Sequence, residues 1–220
     1  MIDLHTHTFL SDGVLGVSEL VYRAKLAGYD AIAITDHADE SNIEFVLKAL
    51  KKAAPNLSKA YGIDVYYGVE LTYVPPVMIG KLVKKARANG AQLVVVHGET
   101  VAENVPPGTN ESAIKAKVDI LAHPGNITKE LVEYAKKNGV CLEITTRRGH
   151  KETNKRVFEL AKAVGAKLVM NNDAHGPADI LNKDGIKKVL IDTGISIKDY
   201  EEMVNNAKEI LSNINKRRKR

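Results

Sequence analysis

The sequence predicts a single-domain α/β fold over its 220 residues, closed as a (β/α) barrel of seven or eight strands. Three observations lead there. Short β-rich runs alternate with amphipathic segments from end to end, as in repeated βαβ crossovers. Four of those segments finish in glycine, the residue that most readily takes the left-handed conformation ending a helix. Histidines recur where the β-rich runs finish, and only a barrel brings the C-terminal ends of all its strands to one mouth. An open doubly wound sheet is the alternative, but there only strands at the switch point would share a site.

The predicted strands are residues 1–5, 30–35, 64–71, 92–96, 119–122, 140–145 and 167–171. Ala31-Ile32-Ala33-Ile34 and Leu93-Val94-Val95-Val96 are continuously apolar, the pattern of parallel strands covered on both faces. Helices are predicted over 17–27, 77–89, 128–138 and 153–164, stopped by Gly28, Gly90, Gly139 and Gly165. Beyond the seventh strand, residues 178–188 and 197–214 read as helices, with a short strand at 189–191. No Pro/Gly/Ser linker divides the chain, and 220 residues suffice for one sizeable core.

A 44% apolar and 27% charged composition is that of a globular protein. The single Cys141, within an apolar run, excludes a disulfide framework and suits a reducing compartment, hence a cytoplasmic expectation. The N-terminus lacks a basic region followed by a long apolar stretch, so neither a signal peptide nor a membrane span is expected. The net charge of +5 sits in the last five residues, Lys216-Arg217-Arg218-Lys219-Arg220. Without them the chain carries 27 basic against 27 acidic residues, so the body gives no electrostatic case for a polyanion. The tail reads as a frayed, solubilising end.

Six of the seven histidines fall in His5-Thr6-His7, Asp36-His37, His97-Gly98, His123-Pro124 and Asp173-Ala174-His175. Alternation puts His5 and His7 on one side of a strand. One His-x-His pair is weak evidence, but further ligand-type clusters at successive strand ends point to a metal site. A mixed oxygen and nitrogen donor set without thiolates suits Zn, Mn or Fe and disfavours a closed structural zinc.

These residues resemble the PHP (polymerase and histidinol phosphatase) superfamily. Ile2-Asp3-Leu4-His5-Thr6-His7 with Ser11-Asp12-Gly13 looks like its first motif, and Ile34-Thr35-Asp36-His37 like its second. Gly68-Val69-Glu70 is similar to its bridging-glutamate segment; His97, Ala122-His123-Pro124 and Asn172-Asp173-Ala174-His175 complete the set in order. The resemblance implies a distorted seven-stranded TIM-like barrel and two or three divalent ions. It assigns His5, His7, Glu70 and Asp173 to one ion, Glu70, His97 and His123 to a second, and Asp12, His37 and His175 to a third. Asp12 stands where many members have histidine, a hardening of that site. The implied activity is hydrolysis of phosphate monoesters, including histidinol-phosphate-like small molecules, by metal-activated hydroxide. A nucleotide phosphodiesterase or exonuclease is the alternative, and a non-catalytic RNA-binding barrel of the ribonuclease P type a third reading. The expected partner is a small phosphorylated substrate rather than a nucleic acid or a membrane.

Around this set, Asp36, Glu99 and His150 are candidates for catalytic support. Asp36 is expected to face away from the ligands, in a supporting role. Glu143, a carboxylate in a buried strand, is expected at the mouth, orienting a ligand or binding substrate. Arg147 and Arg148, on the following loop, are placed to clamp a phosphate. The turn-rich segment Glu103–Asn110 is a candidate lid.

Overall fold

The computed structural model describes residues 1–218. Eight helices surround a nearly closed barrel of seven parallel strands, ordered β1 (Ile2–Asp3), β2 (Ala31–Ile34), β4 (Asp64–Leu71), β5 (Leu93–His97), β6 (Ile120–Ala122), β7 (Cys141–Thr145) and β8 (Leu168–Asn171). A two-residue strand, β3 (His37–Ala38), continues β2 and pairs His37 with Glu70 of β4. This segment was not predicted as strand. It is too short for a periodic signal, yet it fixes His37 beside Glu70.

Strand alternation divides the apolar residues into two sets. Ile32, Ile34, Val69, Val94, Val96, Leu142 and Ile144 face the surrounding helices. Leu4, Ala33, Tyr66, Leu93, Val95, Ile120, Cys141 and Val169 fill the lumen with Ala207, Leu211 and Ile214 of α8 (Ile197–Arg218). The last helix therefore crosses the floor of the barrel, opposite the mouth. Asn206 and Asn215 reach Leu168 O (2.9 Å) and Tyr66 Oη (3.0 Å) from it. Residues 216–218 continue the helix as exposed positions, of which Arg217 donates to Gln92 O at 3.1 Å; Lys219 and Arg220 lie outside the described residues. Among the described residues no helix is long and apolar enough to cross a membrane.

The helices α1 (Val17–Ala27), α3 (Pro76–Ala88), α5 (Lys129–Asn138) and α6 (Asn154–Val164) lie where the glycine stops place them. Two others escaped the reading. In α2 (Ile43–Tyr61), Ile43, Val46, Leu47, Leu50 and Ala54 make a buried stripe at helical spacing, with Pro55 inside the helix. The seven-residue α4 (Thr109–Lys115) begins directly after the Pro106-Pro107-Gly108 turn, so of the expected lid only Thr109 and Asn110 are helical and the rest is turn and irregular chain. The strand expected at 189–191 is corrected. These residues lie in α7 (Lys183–Thr193), whose start Asn182 caps by accepting from Gly185 N at 3.0 Å. Ile186 and Leu190 are its buried pair four residues apart, while Ile191 points outward.

Between β8 and β1 there is one isolated bridge, Thr6 to Ala174, and side chains close the rest of the seam. Asn171 Oδ1 accepts from Leu4 N at 2.8 Å. Asn172 donates through Nδ2 to Asp3 Oδ2 at 2.7 Å and approaches Tyr29 Oη at 2.6 Å, while its backbone N–H reaches Asp3 Oδ1 at 3.3 Å. Asp3 is buried, so losing its Asn172 partner leaves a desolvated carboxylate underserved. Asn172→Ala should lower unfolding free energy by about 1–3 kcal/mol in urea titrations, as expected for an orphaned buried acceptor. A change within a few tenths of a kcal/mol would mean the seam is held by packing alone.

Candidate metal centre

Every strand-end histidine predicted as a ligand arrives at the mouth. Glu70, at the end of β4 and fully buried, stands at the centre. Its Oε1 lies 3.3 Å from His5 Nε2, 3.4 Å from His97 Nδ1 and 3.8 Å from His123 Nε2. Its Oε2 lies 2.7 Å from His37 Nδ1 and 3.6 Å from His7 Nε2. Asp173 sits across from it, with Oδ1 3.1 Å from His7 Nε2 and 3.6 Å from His5 Nε2, and Oδ2 3.6 Å from His123 Nε2. At the outer rim Asp12, 58% exposed, approaches His37 Nε2 (3.3 Å) and His175 Nε2 (3.1 Å).

The local backbone is shaped for this convergence. His123 and Asp173 follow directly on their strands' last turns with φ of 25° and 51°, left-handed values costing a non-glycine residue of order 1–3 kcal/mol each. Gly13 lets the Asp12 loop lie against the His7 backbone, since a Cβ there would sit 2.6 Å from His7 C and O. Gly98 lets β5 turn beneath Pro124, where a Cβ would be 2.3 Å from Ala122 O.

The donors satisfy one another poorly. Among the described residues, His5 Nε2, both nitrogens of His7, His97 and His123, Glu70 Oε1 and Asp173 Oδ1 are buried without a hydrogen-bond partner. Their mutual contacts are close in distance but misaligned for hydrogen bonds. An orphaned buried polar atom costs about 1–3 kcal/mol, so a cluster of nine is untenable unless something else binds them. Donors within 4.8 Å of one another form the sets His5–His7–Asp173, Glu70–His97–His123 and His7–Asp12–His37–His175. This imidazole and carboxylate chemistry fits divalent transition metals. A fourth set, His5–His123–Glu143, cuts across the assignment implied by the resemblance, the His5–His7–Asp173 set lacks Glu70, and His7 is also within reach of the outer set.

Electrostatics point the same way. Burial opposes charge on His5, but the Glu143, Glu70 and Asp173 carboxylates outweigh it and hold its pKa well above the usual value. Burial likewise opposes charge on His37 and His97, yet Glu70 and Asp12 lift His37 to about 10, and Glu103 and Glu70 lift His97 to about 9. At His7 and His123 burial prevails, with help from positive neighbours, and both fall well below the ordinary range. Burial pushes Asp173 up to about 7. Without a cation the cluster stores protons that a metal would displace.

The other predicted residues divide. Glu143 orients a ligand candidate, as one branch of the expectation had it, but not at the mouth: it is fully buried, and its oxygens take His5 Nδ1 (2.8 Å), Asn171 Nδ2 (2.8 Å) and His123 N (3.2 Å). It orients His5 from beneath, where no substrate reaches, as carboxylates commonly hold metal-binding imidazoles. Asp36 has no free oxygen for catalysis. It accepts from Thr8 N, Thr8 Oγ1 and Ser11 Oγ at 2.7–2.8 Å and so fixes the loop carrying Asp12. Glu99 is corrected as well, because it binds the N–H groups of Gly108 (3.1 Å) and Asn110 (2.9 Å) at the start of α4, outside the cavity.

Arg147 and His150 do line the open cavity of about 490 Å³ above the cluster, whereas Arg148 is exposed and does not. Arg147 leans on Asp173, with Nη1 3.3 Å from its carbonyl oxygen, and His150 Nδ1 lies 2.9 Å from Thr100 Oγ1. Glu103 and Tyr73 also line the cavity and were missed. Glu103 looked like part of a turn-rich loop, and an isolated tyrosine after β4 carries no motif.

Fold and site together define a (β/α) barrel with imidazole and carboxylate donors that could hold metal clustered at its mouth. The PHP domain family matches residues 3–103, which carry His5 through His97, and the chain belongs to the PHP superfamily. A protein of Methanocaldococcus jannaschii without an assigned activity is 46% identical over 215 residues, 96% of this chain and 99% of that protein. Ribonuclease P protein component 3 of Methanosarcina mazei is 30% identical over 77% of this chain and 71% of its own. A Shewanella oneidensis protein named "Probable phosphatase" is 29% identical over 79% and 76%.

Metal analysis of protein purified without chelators should find at least two divalent ions per chain, and Glu70→Gln should lose at least one. A single tightly held ion in the native chain would sink the shared role of Glu70. Because His37 and His97 hold their protons up to about pH 10 and 9, metal affinity should rise with pH from 7 to 9 and binding should release protons. Calorimetry in buffers of different ionisation enthalpy measures that release directly.

Proposed function

We propose that this protein is a metal-dependent phosphoesterase acting on small phosphate monoesters. The observation that carries the reading is the set of orphaned donors, buried under an open cavity whose wall presents Arg147. Divalent ions bound there would supply an activated water and positive charge for the phosphoryl oxygens. Glu70 and Asp173 would hold the inner ions from opposite sides, and Glu143 would keep His5 in the orientation that presents Nε2 to them. Arg147, anchored to the Asp173 carbonyl, offers its guanidinium to a phosphate oxygen from above. His150, bonded to Thr100 through Nδ1, presents Nε2 to the same space, 3.4 Å from Glu103 Oε1. The cavity volume suits a small molecule rather than a polymer. The relative named a phosphatase supports the same class, and histidinol-phosphate-like compounds are sensible first substrates. A cytoplasmic setting fits the free Cys141.

The ribonuclease P relative favours a second reading, an RNA-binding barrel without catalysis. The complete donor set here weighs against it, since a barrel that only bound RNA would gain nothing from nine orphaned buried atoms. A screen of phosphate mono- and diesters with Mn, Zn and Fe decides: turnover of monoesters lost in Asp173→Ala supports the proposal. Activity confined to diesters, or RNA binding with no turnover under any metal, would replace it.

Arg147→Ala should weaken binding of substrate and free phosphate about tenfold or more while metal content stays constant, matching loss of a charge-assisted contact of about 1.5–3 kcal/mol. Unchanged kinetics would return Arg147 to a structural role at Asp173. Truncation after Asn215 removes the Arg217–Gln92 contact and should cost roughly 1 kcal/mol of stability, yet leave monoester turnover nearly unchanged. A large loss of turnover in a folded truncation would tie the floor helix to the chemistry.

A further inference from the structure

We propose that Glu103 is a metal ligand, holding with His97 Nε2 a divalent ion on the cavity side of that imidazole, across the ring from Glu70. The proposal rests on the metal-centre reading above and extends it to a residue outside the motif set.

His97 is 4% exposed, and its Nε2 is buried with no hydrogen-bond partner. Glu103 Oε2 lies 3.2 Å from that nitrogen. The contact is close, yet the oxygen does not lie where an Nε2–H would point. Two donors bound to one ion at about 2.0–2.2 Å stand roughly 3–3.5 Å apart with their lone pairs converging on the ion, not on each other. A carboxylate that merely orients an imidazole behaves differently, and this molecule contains the comparison. Glu143 meets His5 Nδ1 at 2.8 Å with proper hydrogen-bond geometry, and that nitrogen is satisfied.

Glu103 is also held in place from its far side. Tyr73 donates its hydroxyl to Oε2 at 2.8 Å, and Oε1 lies 3.4 Å from His150 Nε2. Tyr73 itself sits at φ 53°, with its ring 5.9 Å from that of His97 and nearly parallel to it. The loops after β4 and β5 thus meet over His97 with a carboxylate between them. A site open toward the cavity has an anionic donor beside His97 Nε2 and His150 Nε2, on the opposite side of the His97 ring from Glu70, which meets Nδ1 at 3.4 Å.

Cobalt(II) titration of metal-stripped protein tests this without reference to turnover. Glu103→Gln is the informative variant, since its amide oxygen can still accept from Tyr73 and only the carboxylate is lost. Wild type should take up several equivalents, counted by native mass spectrometry, with visible absorption reporting ligand geometry. Glu103→Gln should bind one of them at least about tenfold more weakly, the lower bound for losing even a supporting contact, with an altered absorption band. Glu103→Asp should recover part of that affinity. Unchanged stoichiometry, affinity and spectrum in Glu103→Gln would overturn the assignment while leaving the phosphoesterase reading intact. Failure of the wild type itself to bind cobalt would overturn both.

Discussion

The buried Glu70 carboxylate and the imidazoles crowding it constrain the whole molecule. Nine donor atoms cut off from water and unmatched by protein partners are a standing cost that cations can offset. The barrel tolerates such a cluster because it separates its two ends. Below, the lumen is closed by apolar side chains and by α8, which supply burial energy. Above, the same strands deliver Glu70, His97 and Asp173 to one volume. Neither half is workable alone: the floor without the mouth is an inert core, and the mouth without the floor is a set of charges with nothing to hold them.

The seam between the first and last strands shows how closely fold and site are joined. Asn171 bonds Leu4 N on one side and Glu143 on the other, and Glu143 in turn bonds His5. Asn172 bonds Asp3, whose other oxygen holds His5 N at 3.1 Å. The polar groups closing the barrel are therefore those setting the angle of the first metal-ligand candidate. His5 is oriented by residues far from it in sequence.

That long-range character explains what was legible beforehand. Strand runs, glycine stops and the strand-end histidines are local signals, and they pointed to the barrel and its histidine donors, whereas Asp12 and Glu70 entered through the family resemblance. Hydrogen-bond partnership is not local. Glu99 and Glu103 lie four residues apart in one loop; the first caps a short helix and the second faces His97, and nothing in Glu99-Thr100-Val101-Ala102-Glu103 tells them apart. Glu143 was read as orienting a ligand or binding substrate at the mouth, because a carboxylate in a buried strand must have a partner; that partner is an imidazole, met beneath the mouth. The strand expected at 189–191 failed for a plainer reason. A short β-branched run is indistinguishable from one helix face until the Asn182 cap and Gly194 stop are weighed together.

The floor helix carries a consequence for how the chain comes to be folded. Ala207, Leu211 and Ile214 complete the lumen core, so the interior of the barrel stays exposed to water until the last helix has been synthesised. The donors span His5 to His175, and Glu143 and Asn171 must arrive before His5 is oriented. A chain lacking residues 197–214 would therefore hold strands around an unfinished core. Long-range closure of this kind slows folding and leaves strand edges unprotected meanwhile. An ion arriving before closure would meet isolated histidines rather than a cage.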